Sequence, residues 1–373
     1  MDIAILGYGT VGRGVADIIE RKTPKVSVKR ILELPDRLTD ARMTSNYDEI
    51  VGDPSIELVV ECMGGIEPAH TFICRALEAG KHVVTSNKAV VAAHFAEFVE
   101  LANANGVSLF IEASVGGGIP WIASIAKARR TDTISSFMGI MNGTTNYIID
   151  SMGKLGIDFG DALSTAQELG YAERDPSADI DGIDVANKTI ITASVSFDCA
   201  CTHELPVTGI RNITKADMEQ FAELGRKVKL IGRGVQRDGA YAVAVEPVAL
   251  DAASLEANVP MNFNLVTLVG DTVGELKFYG QGAGMLPTGN AIVQDILDCA
   301  EGRRFAYDFS KGQAYDPSLL VSDYAVRTTA QIEEGEPLGE GMRLVRNLTA
   351  VEARALYEAV LEKDPSAFIA ALA

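Results

Sequence analysis

Cysteine is sparse in this chain: Cys62, Cys74, Cys199, Cys201 and Cys299 are an odd and scattered five. That distribution speaks against a disulfide framework and fits reduced thiols in a core. Cys199 and Cys201 form a lone C-x-C pair, too little for a zinc site. Basic residues are outnumbered, 33 Lys and Arg against 51 Asp and Glu, for a formal charge of −18. Such a balance lacks the basic face of a nucleic-acid binder. It leaves room for an anionic cofactor, because phosphates are held by local backbone amides and not by net charge. No apolar run approaches the ~20 residues of a membrane span, and the sequence enters an apolar strand at residue 2 without a signal-peptide pattern. A cytoplasmic protein with no membrane or nucleic-acid partner is expected. Internal repeats and low-complexity linkers are also missing. What remains is an ordinary globular composition, 47% hydrophobic and 23% charged, in 373 residues, enough for two or three domains.

The first apolar run, residues 2–6, meets Gly7-Tyr8-Gly9-Thr10-Val11-Gly12 and continues as a helical pattern through Val15, Ile18 and Ile19. Strand, G-x-G-x-x-G and helix is the context that the dinucleotide fingerprint requires. Gly7 permits the tight turn, Gly9 lets a pyrophosphate approach the backbone, and Gly12 lets helix and strand pack closely; Thr10 and Val11 open the helix. A glycine-rich βα turn without a ligand is the plainer alternative, and the flanking pattern favours nucleotide binding. A second strand, residues 26–32, ends at Glu33, where an acid bonds the ribose hydroxyl of NAD. Arg30 and Arg37 flank it, as suits the phosphate of NADP, so both cofactors stay open. Strands over 58–61, 82–85 and 108–111 alternate with helices over 69–79 and 90–103. This pattern predicts an α/β fold: an N-terminal Rossmann-type domain with a parallel, doubly wound sheet. Ligands in such sheets sit beyond the carboxyl ends of the strands. Thr85-Ser86-Asn87-Lys88 and residues 112–120 follow two such ends and are expected at the nicotinamide. An isolated Lys88 would read equally as a helix-start residue; its placement favours contact with substrate or cofactor.

From Thr131 the pattern changes. A strand over 134–140 enters Asn142-Gly143-Thr144-Thr145-Asn146, a polar turn opening a helix over 147–152. Residues 168–188, ELGYAERDPSADIDGIDVANK, then carry six carboxylates in 21 residues and close on a lysine. Asp181 is expected to cap a helix over 183–195, on which Asp184 and Lys188 are i and i+4 and share a face. A carboxylate one turn before an amine orients it, and clustered carboxylates bind a cationic substrate. For an isolated pair, a solvated helix face is the plainer reading. A helix over 217–228 and strands over 229–233, 241–248 and 267–269 predict a second α/β domain with a mixed sheet. The glycine cluster at 279–288 lacks a preceding strand pattern and reads as a loop returning to the cofactor. The expected division is 1–130 for NAD(P) binding, rejoined by a helix over 285–303, then 131–284 for catalysis and dimerisation. Residues 304–373 read as an extension with one strand (324–332) and one helix (350–361).

In order, GYGTVG, TSNKA, EASVGGGIP, GIMNGTTNYI, LGYAERDPSADIDGIDVANK and FYGQGAGMLPT resemble the motifs of homoserine dehydrogenases, over residues 1–303. Ser114, Ser86 and Gly117 depart from the more common threonine, alanine and alanine. The resemblance implies NAD(P)-dependent interconversion of L-aspartate 4-semialdehyde and L-homoserine, a step toward threonine and methionine, in a homodimer. It implies Lys188 as general acid, with Asp184 and Glu173 around the substrate, Lys88 at the nicotinamide and Gly284 against the cofactor. Tyr171, Asp179 and the turn residues Asn142, Gly143 and Thr144 complete the substrate set it implies; Ser86 joins the cofactor set. Glu112 and the carbonyls of Val115, Gly117 and Ile119 correspond to a sodium site, and such hard oxygens suit an alkali cation. Many bacterial relatives carry a C-terminal amino-acid-sensing domain; the tail here is short for one and reads as a reduced regulatory segment.

The chemistry follows from the residue types. Hydride delivered to an aldehyde carbon leaves an alkoxide that needs a proton. A lysine serves when desolvation or a second positive charge brings it toward working pH, and Lys88 is a candidate for that charge. Glu173 and Asp184 suit an α-ammonium, and the NGTTN turn offers hydroxyls and amides for a carboxylate. Two alternatives are a dehydrogenase of another amino-acid semialdehyde or hydroxy acid, and a non-catalytic NAD(P)-binding sensor. The presence of both lysines disfavours the sensor. Cys62 lies at a strand end without the histidine base that a phosphorylating semialdehyde dehydrogenase requires.

Overall fold

The computed structural model describes residues 1–373 apart from Ala306, Lys311, Glu333 and Glu334. It divides into two compact units, the first comprising residues 1–127, 198–200 and 281–312 and the second the remainder.

In the first unit, six strands lie in the order β3-β2-β1-β4-β5-β6: β1 (Asp2–Leu6), β2 (Ser27–Leu32), β3 (Met43–Thr44), β4 (Ile56–Glu61), β5 (His82–Thr85) and β6 (Leu109–Phe110). Every neighbouring pair is parallel. The strands are apolar along nearly their whole length because helices cover both faces of such a sheet. Ile3, Ile5, Leu58, Val60 and Val84 are fully buried. The connecting helices are α1 (Thr10–Lys22), α2 (Asp48–Val51), α3 (Ala69–Glu78), α4 (Lys88–Asn105) and α5 (Trp121–Ala128). The later helix α11 (Met285–Ala300) packs on α1, its Ile292, Val293 and Ile296 sharing a core with Val15, Ala16 and Ile19. Gly14 allows this approach, since a Cβ there would lie 2.8 Å from the Met285 carbonyl oxygen. The strand expected over 108–111 is shorter, because Glu112–Ser114 already turn as a 3-10 helix.

The second unit opens with β7 (Ile134–Ile140), followed by α6 (Gly143–Leu155), α7 (Phe159–Glu168), α8 (Ser177–Ile180), α9 (Ile183–Phe197) and α10 (Lys215–Glu223). The strands β8 (Arg226–Arg237) and β9 (Ala240–Asp251) form a long hairpin closed by Asp238-Gly239, both at positive φ, the geometry of a type I′ turn. β10 (Phe263–Gly270) pairs with β7, and β11 (Gly274–Gln281) forms the edge. The helix expected over 217–228 stops at Glu223. Gly225, at φ +70°, ends it, and Arg226 to Val228 are already strand. α9 is buried along most of its length, and its Thr189 and Val185 press on β8, where a Cβ on Gly232 would lie 2.2 Å from the Thr189 hydroxyl.

The C-terminal segment carries more structure than its sequence suggests. It contributes β12 (Ala314–Tyr315), β13 (Val321–Arg327), β14 (Glu336–Gly339), β15 (Met342–Thr349), α12 (Ala350–Leu361) and β16 (Phe368–Leu372). The strand expected over 324–332 begins and ends earlier. All five strands join the sheet of the second unit, in the order β11-β10-β7-β8-β9-β16-β13-β15-β14 with β12 on β9. β16 lies parallel to β9 and antiparallel to β13, so the sheet is mixed and the last strand is interior. Phe368, Ile369, Ala370 and Ala371 are buried there. Phe368→Ala is therefore expected to destabilise the second unit by roughly 3–5 kcal/mol, read as a fall in the denaturation midpoint. An unchanged midpoint would show that the segment is an appendage.

Candidate active site

β7 delivers the chain into the turn at Met141-Asn142. The Asn142 side-chain oxygen accepts a hydrogen bond from the Thr145 amide at 2.8 Å, which caps α6 and starts it at Gly143, earlier than the expected 147. Its Nδ2 is thereby left to bridge two acids, Asp179 at 2.6 Å and Asp184 at 2.9 Å. The same Asp184 oxygen accepts from Lys188 Nζ at 2.8 Å, and Lys188 also donates to the Met141 carbonyl at 2.7 Å. Both side chains are buried, at 10% and 9% exposure. This separates the pair from a solvated i, i+4 contact: removing one partner would leave an uncompensated buried charge. Burial, and then the neighbouring Asp184 charge, push the Asp179 carboxyl up, against the opposing pull of Asn142 and Lys188. Thr144 donates to the Tyr171 carbonyl at 2.6 Å, and the Tyr171 ring meets Tyr147 edge-on at 5.1 Å. Gly143 is fixed by packing, since a Cβ would lie 2.7 Å from the Asn262 carbonyl oxygen.

Two residues of the acidic stretch differ from expectation. Asp181 does not cap α9; it ends α8, and its carboxylate binds the Arg211 guanidinium at 2.8 and 2.6 Å. Gly182, at φ +86°, makes the break between the helices instead. Glu173 is exposed on the loop, and its carboxylate is not joined to the cluster around Lys188. The structure thus gathers Lys188, Asp184, Asp179, Asn142, Thr144 and Tyr171, and leaves Glu173 apart.

In the first unit, the glycine loop has the geometry of a phosphate cradle. Gly7 sits at φ +89°, a Cβ on Gly12 would lie 2.1 Å from the Gly7 carbonyl oxygen, and a Cβ on Gly9 would meet nothing within 4 Å. No side chain caps α1, so its first amides, around Thr10 and Val11, are open to an anion. The Glu33 carboxylate accepts from the Tyr8 amide at 2.9 Å, placing an acid against this loop. At the end of β5, Asn87 caps α4, and half-buried Ser86 and Lys88 stand on either side of it. Gly284, at φ +127°, begins α11. The preceding glycines close on the turn after β6: Gly118 donates to the Gln281 carbonyl at 3.1 Å, and a Cβ on Gly117 would lie 2.5 Å from Gly282.

Residues 7–112 match the family model for the homoserine dehydrogenase NAD binding domain, and residues 120–297 match the homoserine dehydrogenase model. A homoserine dehydrogenase of Synechocystis is 40% identical over 313 residues, covering 79% of this chain and 72% of the relative. The chain belongs to the homoserine dehydrogenase family. It is an NAD(P)-dependent oxidoreductase. The crystal structure of a homoserine dehydrogenase from Thiobacillus denitrificans superposes with a TM-score of 0.89 at 29% identity, covering 100% of this chain and 98% of that one. A hyperthermophilic archaeal homoserine dehydrogenase in complex with NADPH gives 0.72 at 26% identity, over 82% of this chain and 99% of that one.

Some of the groups that shape these two units left no signal in the sequence. The Met141 carbonyl is backbone and leaves no side-chain signal. Asp295 could have been noticed as an acid on the apolar face of α11: it is buried, and its carboxyl is pushed well up by burial and by Glu112. It accepts from the Glu112 amide at 3.0 Å. The Glu112 carboxylate takes the Ile122 and Ala123 amides at the start of α5, yet burial pushes it up to about 7. Cys62 is the opposite of an activated nucleophile, its thiol pushed up by desolvation and by Glu61. A cavity of about 280 Å³ lined by Ile149, Met152, Lys154, Met218 and Lys229 shares no residue with the Lys188 cluster.

The two glycines give opposite mutational outcomes. Gly9→Val should abolish NAD(P)H binding, read by fluorescence titration, while leaving the melting temperature near wild type. Gly12→Val should lower the melting temperature itself. Unchanged affinity in Gly9→Val would remove this loop from the cofactor site.

Proposed function

We propose that the enzyme interconverts L-aspartate 4-semialdehyde and L-homoserine with Lys188 as the proton donor to the alkoxide, and as proton acceptor in the reverse direction. The observation that carries this reading is the bonding of its ammonium. An ammonium has three N–H donors; two are engaged, by Asp184 and the Met141 carbonyl, and no bond from the third to a described residue accompanies them. A buried lysine fixed in direction by two bonds, with one donor left, suits proton delivery at a single oxygen. Asp179 and Asp184 set two carboxylates against one ammonium, which favours binding of the substrate's α-ammonium. Tyr171 flanks this pair, and Glu173, on its exposed loop, stands apart from it. Asn142 orients both acids. The first-turn amides of Gly143 and Thr144, at the N-terminus of α6, suit the substrate carboxylate.

When bound, NAD or NADP supplies or takes the hydride. Gly7, Gly9, Thr10, Val11 and Gly12 hold its pyrophosphate, and Ser86, Lys88 and Gly284 attend the nicotinamide. The archaeal relative with NADPH supports this reading. Glu112 with the carbonyls of Val115, Gly117 and Ile119 holds sodium. These residues share one turn, which supports the reading, although the Ile119 carbonyl also accepts from the Trp121 amide at 2.8 Å. The active form is a cytoplasmic homodimer.

Lys188→Ala should lower kcat by about 10²–10⁴-fold with a smaller change in KM, whereas Lys88→Ala should change both. A folded Lys188→Ala enzyme with near-wild-type kcat would remove the assignment. For the ion, the melting temperature or activity should be higher in sodium or potassium chloride than in tetramethylammonium chloride at equal ionic strength. Identical behaviour in all three would reduce the 112–119 segment to a plain turn.

A further inference from the structure

We propose that His70 and Cys74 on α3, with Glu97 on α4, form a zinc(II) site on the cofactor-binding unit, His94 supporting Glu97 from the same helix. Each pair is spaced three or four residues apart, so each occupies one face of its helix, and the two faces meet. His70 Nε2 lies 2.9 Å from Glu97 Oε2 and 3.5 Å from Cys74 Sγ. Cys74 Sγ lies 3.8 Å from Glu97 Oε1, and His94 Nδ1 lies 3.1 Å from Glu97 Oε2. The donor atoms of His70, Cys74 and Glu97 all fall within 4.8 Å of one another. Zinc bonds of about 2.0–2.3 Å in a tetrahedron require donor separations of roughly 3.3–3.8 Å. The bonded pairs among His70, Cys74 and Glu97, at 2.9, 3.5 and 3.8 Å, stand close to that spacing.

The surroundings are those of a supported ligand set. His70 Nδ1 is bonded to Glu67 Oε1 at 3.1 Å, which leaves Nε2 to face the cluster. Glu67 is itself held by the Thr71 hydroxyl at 2.9 Å. A carboxylate behind a ligating imidazole fixes its tautomer and orientation. The His70 and His94 rings stack with centroids 3.9 Å apart, and α4 departs from helical geometry at His94 (φ −132°, ψ 19°). An imidazole, a thiol and a carboxylate select zinc over magnesium or calcium, which prefer oxygen alone. Binding exchanges the Cys74 S–H proton for a S–Zn bond and releases that proton to solvent. The bound ion would tie α3 to α4, the helix that begins at Lys88. None of the four residues belongs to the proposed catalytic or cofactor-binding set.

The test is a titration of metal-free, full-length enzyme with cobalt(II), followed by zinc. One equivalent of cobalt should produce a thiolate-to-cobalt charge-transfer band with tetrahedral d–d bands, and zinc should displace it. Cys74→Ser should lose the charge-transfer band, and His70→Ala and the supporting Glu67→Gln should each weaken zinc binding by about 10–100-fold. Zinc should raise the melting temperature of wild type and leave Cys74→Ser unmoved. The proposal is overturned if no charge-transfer band forms, if the band survives Cys74→Ser, or if zinc binds wild type and the variants equally.

Discussion

The bonds around the Lys188 ammonium are the constraint on which the second unit depends. They join the end of β7 through the Met141 carbonyl and α9 through Asp184; Asn142 extends them to the start of α6 and to Asp179 on α8. An ammonium taken out of water must recover its lost hydration from fixed partners, and breaking such a buried pair typically costs about 3–5 kcal/mol. The same bonds therefore position the helices and fix the direction of the Lys188 amine. A lysine held this way needs no moving part to orient it: the side chain is fixed by the fold that surrounds it.

The first unit solves a different problem with backbone alone. Its cradle is defined by where a Cβ cannot fit. Gly12 lies too close to the Gly7 carbonyl to carry a side chain, while Gly9 faces open space and an uncapped helix start. The same unit holds buried acids, Glu61, Glu112 and Asp295, whose carboxyls burial pushes up. Each accepts backbone amide hydrogen bonds, so these acids serve as internal caps and braces.

Much of this was legible in the sequence, for physical reasons that differ by element. The parallel strands announce themselves because burial on both faces demands continuous apolar runs, and the glycine spacing of the first loop follows from sterics. Asp184 and Lys188 share a face by helical period alone. The boundaries failed where one residue had two plausible partners. Asp181 has the chemistry of a cap, but Arg211, distant in sequence, claims its carboxylate. The helix to Glu223 could run on by propensity, and Gly225 stops it. Most of the C-terminal strands were hidden because β12 and β14 are short and because β16 finds its place between β9 and β13 only through long-range pairing. His70 and Cys74 lie on α3 and His94 and Glu97 on α4, and nothing in local spacing joins the two pairs.

Chemical rescue tests the central claim, that the Lys188 amine transfers the proton, most directly. The Lys188→Ala enzyme, with the space of the side chain vacated, should regain kcat on addition of methylamine or ethylamine. Tetramethylammonium at the same ionic strength should leave it unchanged, because it carries the charge but no proton. Equal effects of the two, or no rescue in a folded enzyme that binds both substrates, would contradict the account.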